Sequence, residues 1–111
     1  MNYSVIPIDK FKKEAKRLIR KYTSLKQELL QLHLALAENP SLGTSLGNNS
    51  YKIRVAIKSK GTGKSGGARV ITYLVTENKE VYLLTIYDKA ELDTIDDKSL
   101  RKIIKDIQDD L

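Results

Sequence analysis

The sequence predicts an α+β fold: a small antiparallel sheet in β-α-α-β-β-β-α order, with a helical hairpin packed on one face and a C-terminal helix. Three observations predict it. Apolar residues recur at helical spacing in two adjoining runs between residues 10 and 38; three strand-length runs follow between residues 51 and 87; and the connections between those strands are short, which favours antiparallel pairing. At 111 residues the chain is a single domain, residues 1–111, able to bury roughly 60–70% of its extended surface around one core.

Tyr3 to Pro7 is a short β-prone run, with Pro7 ending it or holding it to an edge. Asp9 suits an N-cap for a first helix from Lys10 to Tyr22, whose apolar positions are Phe11, Ala15, Leu18, Ile19 and Tyr22. Ser24 with Gln27 has the form of a capping box opening a second helix. Its stripe of Leu25, Leu29, Leu32 and Leu36, widened by Leu30 and Leu34, ends at Asn39-Pro40. Ser41 to Ser50, rich in Gly, Ser and Asn, reads as a loop.

From Tyr51 to Ile57 the pattern alternates, with Tyr51, Ile53, Val55 and Ile57 on one face and Lys52, Arg54, Ala56 and Lys58 on the other. Ala68 to Val75 sets Arg69, Ile71, Tyr73 and Val75 against Val70, Thr72 and Leu74. Thr76 to Glu80 is a hairpin turn centred on Asn78, and Val81 to Tyr87 is apolar enough for the middle of the sheet. Thr94 with Asp97 then suits the cap of a last helix with the stripe Leu100, Ile103, Ile104, Ile107 and Leu111. That helix either docks on its own domain or serves a partner as a groove or switch element.

Composition excludes several chemistries. With no cysteine there is no thiol nucleophile, disulfide or iron–sulfur cluster, and the composition suits a protein among reduced thiols, so a cytoplasmic location is expected. The one histidine, His33, is flanked by Leu32 and Leu34, which disfavours a histidine-based triad or an ordinary zinc site. No cofactor, metal or membrane contact is expected, since no apolar run approaches the roughly 18 residues of a span and the first residues lack the pattern of a signal peptide. Charge is unevenly spread: eight Lys/Arg against four Asp/Glu in residues 1–38, seven against one in 39–79, and five against nine in 80–111. The middle third is either the electropositive footprint expected of a nucleic-acid binder or a solvated basic face.

Gly61-Thr62-Gly63-Lys64-Ser65 imitates the end of a nucleotide-binding P-loop, but the full pattern requires glycine at position 58, where Lys58 stands. The segment also runs into Gly66-Gly67 and a β-rich run, so no helix N-terminus awaits a phosphate. The loop is either a plain lysine-solubilised hairpin or a flexible phosphate cradle carrying Lys58, Lys60 and Lys64.

Tyr51-Lys52-Ile53-Arg54, then Lys64 to Ile71 with its Gly66-Gly67-Ala68-Arg69 core, then Leu83 to Lys89, resemble the RelE/ParE superfamily of bacterial toxins, closest to its HigB-like branch. The resemblance covers residues 3–90 in layout. It implies the toxin of a type II toxin–antitoxin pair, with a cognate antitoxin, the ribosome and mRNA as partners, acting as a metal-independent, ribosome-dependent endoribonuclease (mRNA interferase). Such cleavage uses the 2′-hydroxyl as nucleophile, so the protein must take its proton, protonate the leaving 5′-oxygen and stabilise the phosphoryl charge. Matched residue by residue, the family's catalytic positions fall on Lys52, Arg54, Arg69 and Lys89. Lys58, Lys60 and Lys64 would contact RNA, and Tyr73 and Tyr87 are either an aromatic platform for a base or core residues.

Two departures matter. Arg54 stands where the family often has lysine, and a guanidinium suits phosphate binding rather than proton abstraction, which leaves Lys52 as the candidate base. Lys89 replaces an arginine often placed as leaving-group acid, a role an ammonium can fill. The alternatives are a ParE-like toxin of the same fold that inhibits gyrase without cutting RNA, and a non-catalytic basic nucleic-acid-binding module.

Overall fold

The computed structural model describes residues 2–61 and 66–111. Its elements are β1 (Ser4–Pro7), α1 (Asp9–Lys21), α2 (Leu25–Glu38), β2 (Thr44–Gly47), β3 (Ser50–Val55), β4 (Ala68–Val75), β5 (Glu80–Asp88) and α3 (Asp97–Asp110). The α+β class and the order of elements hold, with β2 as an added strand. One sheet runs β1-β5-β4-β3-β2. The β2–β3, β3–β4 and β4–β5 pairs are antiparallel, whereas β1 lies parallel to β5. The sheet is therefore mixed: the α1–α2 hairpin carries the chain from the β1 edge over one face to the β2 edge, and a crossover of that length is what lets a parallel pair form.

β2 lies inside the stretch expected as loop. Its turn is Asn48-Asn49, with φ of 52° and 61°, the left-handed pair that a two-residue hairpin demands and asparagine tolerates. The capping details also differ from expectation. Asp9 is the first residue of α1, after Ile8, where a carboxylate still favours the positive end of the helix. Ser24 flanks α2, but no box closes with Gln27: its hydroxyl lies 3.1 Å from Glu28 Oε1, and Ser24 and Ser59 each donate a backbone N–H to the other's hydroxyl, at 3.2 and 2.9 Å. For α3 the cap is Asp96, which accepts from the Ser99 N–H at 2.7 Å and the Ser99 hydroxyl at 2.9 Å, in place of Thr94 with Asp97.

Two cores form on opposite faces. Phe11, Ala15 and Leu18 of α1 and Leu25 and Leu36 of α2 pack on Ile53, Val55, Val70, Leu74, Val81, Leu83 and Ile86. Leu100, Ile104 and Ile107 of α3 pack on Ile71, Tyr73, Val75, Leu84 and Tyr87. The helices are therefore not all on one face. β5 feeds both cores by alternation, and the register shift at Leu84, the extra residue between the Ile71–Thr85 and Thr72–Leu83 pairs, puts Ile86 on the side of Val81 and Leu83 and Tyr87 on the side of Leu84. Where β1 stops, Glu14 takes over as edge partner of β5, accepting from the Ile86 N–H at 3.3 Å and the Thr85 hydroxyl at 2.7 Å. His33 is exposed, as are Leu30 and Leu34, so the leucine stripe of α2 is wider than the face it buries.

Candidate functional site

The α3-side face of the sheet carries the basic row that the alternation of β3 predicts. Arg54 pairs with Arg69, and Arg69 with Tyr87, across β3, β4 and β5. Directly paired residues share a face, and Lys52 lies two residues from Arg54 on the same side. Lys89 follows the end of β5, its N–H donating to Gly67 O at 3.0 Å. A side chain at Gly67 would meet Val55 O at 2.1 Å, so only glycine lets β4 start this close to β3.

Three of the four candidate catalytic residues lie within electrostatic reach of one carboxylate, that of Asp93. Lys89 forms an ion pair with Asp93 and also lies 3.4 Å from its carbonyl oxygen, while the next residue, Thr94, holds its hydroxyl 3.5 Å from Lys52 Nζ. The Asp93 carboxyl is held below the usual carboxylate range, first by the hydrogen bond and charge of Lys89, then by the charges of Lys52 and Arg69. Arg69 is buried, with Nη1 3.2 Å from Ala68 O, and its partners extend beyond that contact. Arg54 adjoins Arg69 in the ladder but is exposed. It borders a recess of about 330 Å³ between α2 and β3, together with Lys58.

The candidate RNA contacts divide. Lys58 is exposed, in the 3-10 turn Lys58–Lys60, and its N–H is fixed by Glu28 Oε2 at 2.8 Å. Lys60 turns inward: its ammonium lies 2.5 Å from Asp88 Oδ1, with its side chain 15% exposed. Lys64, with the rest of the P-loop-like segment from 62 to 65, falls outside the described residues. Tyr73 and Tyr87 are both in the core beneath α3. Gln108 of α3 donates to the Tyr73 hydroxyl at 3.0 Å, and the Tyr87 hydroxyl is buried without a hydrogen-bond partner among the described residues. Stacking of a base on either ring would require α3 to leave the sheet.

Sequence reasoning missed Asp88 and Asp93. Asp88 is fully buried at the end of β5 and ties three segments together: Lys60 of the glycine loop, the Tyr22 hydroxyl after α1 at 2.5 Å, and the Ala90 N–H at 2.9 Å. Burial alone pushes its carboxyl up; the hydrogen bonds from Lys60, Tyr22 and Ala90, with the Lys60 charge, overcome that and hold it at about 2. One turn on, Arg17 grips Glu91 at 2.6 and 3.2 Å, so the segment after β5 is tied to α1 as well. A usable signal existed: Asp88, Glu91, Asp93, Asp96 and Asp97 form an acidic stretch directly after the basic third of the chain. Among the described residues there is no group of three or more His, Cys, Asp or Glu placed to hold a metal ion, and no helix long and apolar enough to cross a membrane.

Comparison with known proteins agrees with this architecture. A mutant of the E. coli toxin RelE in the free state superimposes with a TM-score of 0.60 at 16% identity, over 96% of this chain and 99% of that one. The isolated E. coli RelE toxin gives 0.60 at 16%, over 95% and 98%. A chain of the intact E. coli RelBE toxin–antitoxin complex gives 0.60 at 17%, over 78% and 95%. At such identities these matches speak for the fold. The family model described as the RelE toxin of the RelE/RelB toxin–antitoxin system matches residues 9–110, nearly the whole chain, and the protein therefore belongs to the RelE toxin family.

Proposed function

We propose that this toxin is a metal-independent endoribonuclease that cuts translated mRNA on the ribosome, and that a cognate antitoxin holds it inactive in the cytoplasm. What supports this is that Lys89 pairs with the Asp93 carboxylate and that Lys52 and Arg69 lie within electrostatic reach of it at the end of the sheet. A scissile phosphate brings charge of the same sign to the same groups. In the reaction Lys52 takes the proton of the 2′-hydroxyl, and the O2′–P bond forms as the P–O5′ bond breaks. Lys89 gives its proton to the departing 5′-oxygen, leaving a 2′,3′-cyclic phosphate and a 5′-hydroxyl. Arg69 and Arg54 stabilise charge on the phosphoryl oxygens, the task for which a permanently charged fork is best suited. Lys58 extends the basic surface along the RNA; Lys64, outside the described residues, is given the same role from the sequence alone. The likeness to the HigB-like branch, carried by the segment from Lys64 to Ile71, agrees with such a nuclease.

The antitoxin reading draws on the RelBE complex among the structural matches. The deciding experiment is primer extension on mRNA from cells expressing the chain, with Lys52→Ala and Lys89→Ala beside it. The expected result is cuts within translated codons that either substitution reduces far more than it reduces ribosome binding. Growth arrest without any cut would point to a ParE-like gyrase inhibitor; neither arrest nor cuts would leave a nucleic-acid-binding module.

A further inference from the structure

On the α3 side of the sheet, beyond the row of Arg54, Arg69 and Lys52, a recess of about 610 Å³ opens between α3 and the β2–β3 turn. Its wall is built from Asn48 and Asn49 of that turn, Tyr73 of β4, and Arg101, Lys105 and Gln108 of α3. Lys52 lies three residues along β3 from Asn49, about 10 Å at the roughly 3.3 Å rise of a strand. The turn is held in place: Asn49 O accepts from the Leu74 N–H at 2.8 Å, and Ser50 pairs with Tyr73 across the ladder. Arg101 and Lys105 stand four residues apart on α3, so their exposed side chains share one side of the helix.

These groups have bonding capacity to spare. Tyr73 is 6% exposed, and its hydroxyl, having accepted from Gln108 at 3.0 Å, keeps a proton for which the described residues hold no acceptor. Neither the Asn48 nor the Asn49 side chain is hydrogen-bonded to another described residue, and Lys105 has no ion pair among them. Arg101 reaches Asp97 at 3.8 Å with both side chains in solvent, a contact that contributes little. Carboxamides and a phenol hydroxyl read the polar edge of a base, and a guanidinium beside an ammonium takes a phosphate. A nucleotide carries both. A partner helix would find only Ile104 to bury here, and a metal ion only Asp109 as an anionic ligand.

We propose that this recess is an RNA subsite for a nucleotide beyond the scissile one, with its base against Asn48, Asn49, Gln108 and the Tyr73 hydroxyl and its phosphate against Arg101 and Lys105. Calling that nucleotide part of the mRNA rests on the nuclease reading above; the chemistry of the recess does not. Tyr73, whose ring α3 covers, contributes its hydroxyl in place of a stacking face, and α3 stays where it is.

The test titrates the full, isotope-labelled chain with the four nucleoside monophosphates and with ribose phosphate, following the side-chain amide signals of Asn48, Asn49 and Gln108 by NMR. The nucleotides are expected to move all three signals, and ribose phosphate, which lacks the base, to bind about tenfold more weakly. Gln108→Leu should narrow that difference. With a short single-stranded RNA, Arg101→Ala/Lys105→Ala should make the salt slope shallower by about 0.7, one phosphate's worth. On programmed ribosomes the same double variant should raise the half-saturating toxin concentration more than it lowers the maximal cutting rate. Ribose phosphate binding as tightly as the nucleotides overturns the proposal, as do nucleotide-induced shifts that spare the three amides. A wild-type salt slope in the double variant overturns it too. If the nucleotides bind with the stated pattern but the chain cuts no mRNA, the recess stands as a nucleotide site and its assignment to the mRNA falls.

Discussion

Asp88→Asn isolates the interaction that holds the ends of the candidate site together. The folded carboxyl sits at about 2 against an ordinary 3.8, a depression of nearly two pH units. At about 1.36 kcal/mol per unit, this amounts to about 2.5 kcal/mol of stability at neutral pH. The substitution also leaves the Lys60 ammonium, 15% exposed, without its counter-charge and facing an amide N–H₂. Breaking a buried pair from one side costs about 3–5 kcal/mol. The expected loss is therefore about 2.5–5 kcal/mol, a large part of the roughly 5–15 kcal/mol that holds a domain of this size. Urea titration followed by far-UV circular dichroism at pH 7 measures it. The pH dependence has a defined sign: because the folded value is the lower one, the contribution is complete above about pH 4 and is lost as pH falls through about 2. Other acids titrate in both proteins, so the difference between wild type and variant should shrink between pH 5 and pH 2. A loss under about 1 kcal/mol at pH 7, or a difference constant with pH, would refute the assignment of Asp88 as a charged buried tie. Adding Lys60→Met to Asp88→Asn should recover part of the loss, since it removes the stranded ammonium.

Asp93→Asn removes the anion shared by Lys89, Lys52 and Arg69. The variant should bind a short single-stranded RNA more tightly at low salt, with a salt slope steeper by about 0.7 for each cation newly engaged, read by fluorescence anisotropy; unchanged affinity would mean that Asp93 does not compete with phosphate. Tyr87→Phe deletes a buried hydroxyl that has no hydrogen-bond partner among the described residues, so its urea midpoint should be unchanged or raised by the equivalent of about 1 kcal/mol. A loss of stability would reveal a partner for that hydroxyl. Gly67→Ala places a methyl against Val55 O and should cost about 1–3 kcal/mol, with RNA cleavage falling at equal folded fraction because the starts of β4 and Lys89 shift together.

How much of this was legible beforehand depends on the range of the interaction. The two helices, the three long strands and the basic side of β3 follow from period 3.6 or period 2 in the chain itself, so Phe11, Leu18, Ile53 and Val55 fall in the core as read. β2 was not legible as a strand, because four exposed residues have no apolar pattern to report; its signal was the Gly47-Asn48-Asn49 turn. Two caps moved by one or two residues, from Asp9 to Ile8 and from Thr94 to Asp96, while Ser24 holds the N-cap position of α2 but meets Ser59, 35 residues away, in place of Gln27. Of the candidate site residues, Lys60, Tyr73 and Tyr87 carried residue types suited to RNA but lie inward. Nothing local to them says that Asp88 and α3 would claim them first.

By itself, then, the sequence determined the α+β class, the α1–α2 hairpin, the basic third of the chain and the positions of Lys52, Arg54, Arg69 and Lys89 at strand faces and ends. Each of these depends on periodicity or on residue type at short range. Only the tertiary structure decided that β1 would pair in parallel with β5, that α3 would cover the face opposite α1 and α2, and that Asp88 and Asp93 would sit among the cations. Those outcomes are set by which distant groups must find a partner once the core closes. A buried carboxylate such as Asp88 takes whichever ammonium the fold brings within 2.5 Å, and that was Lys60.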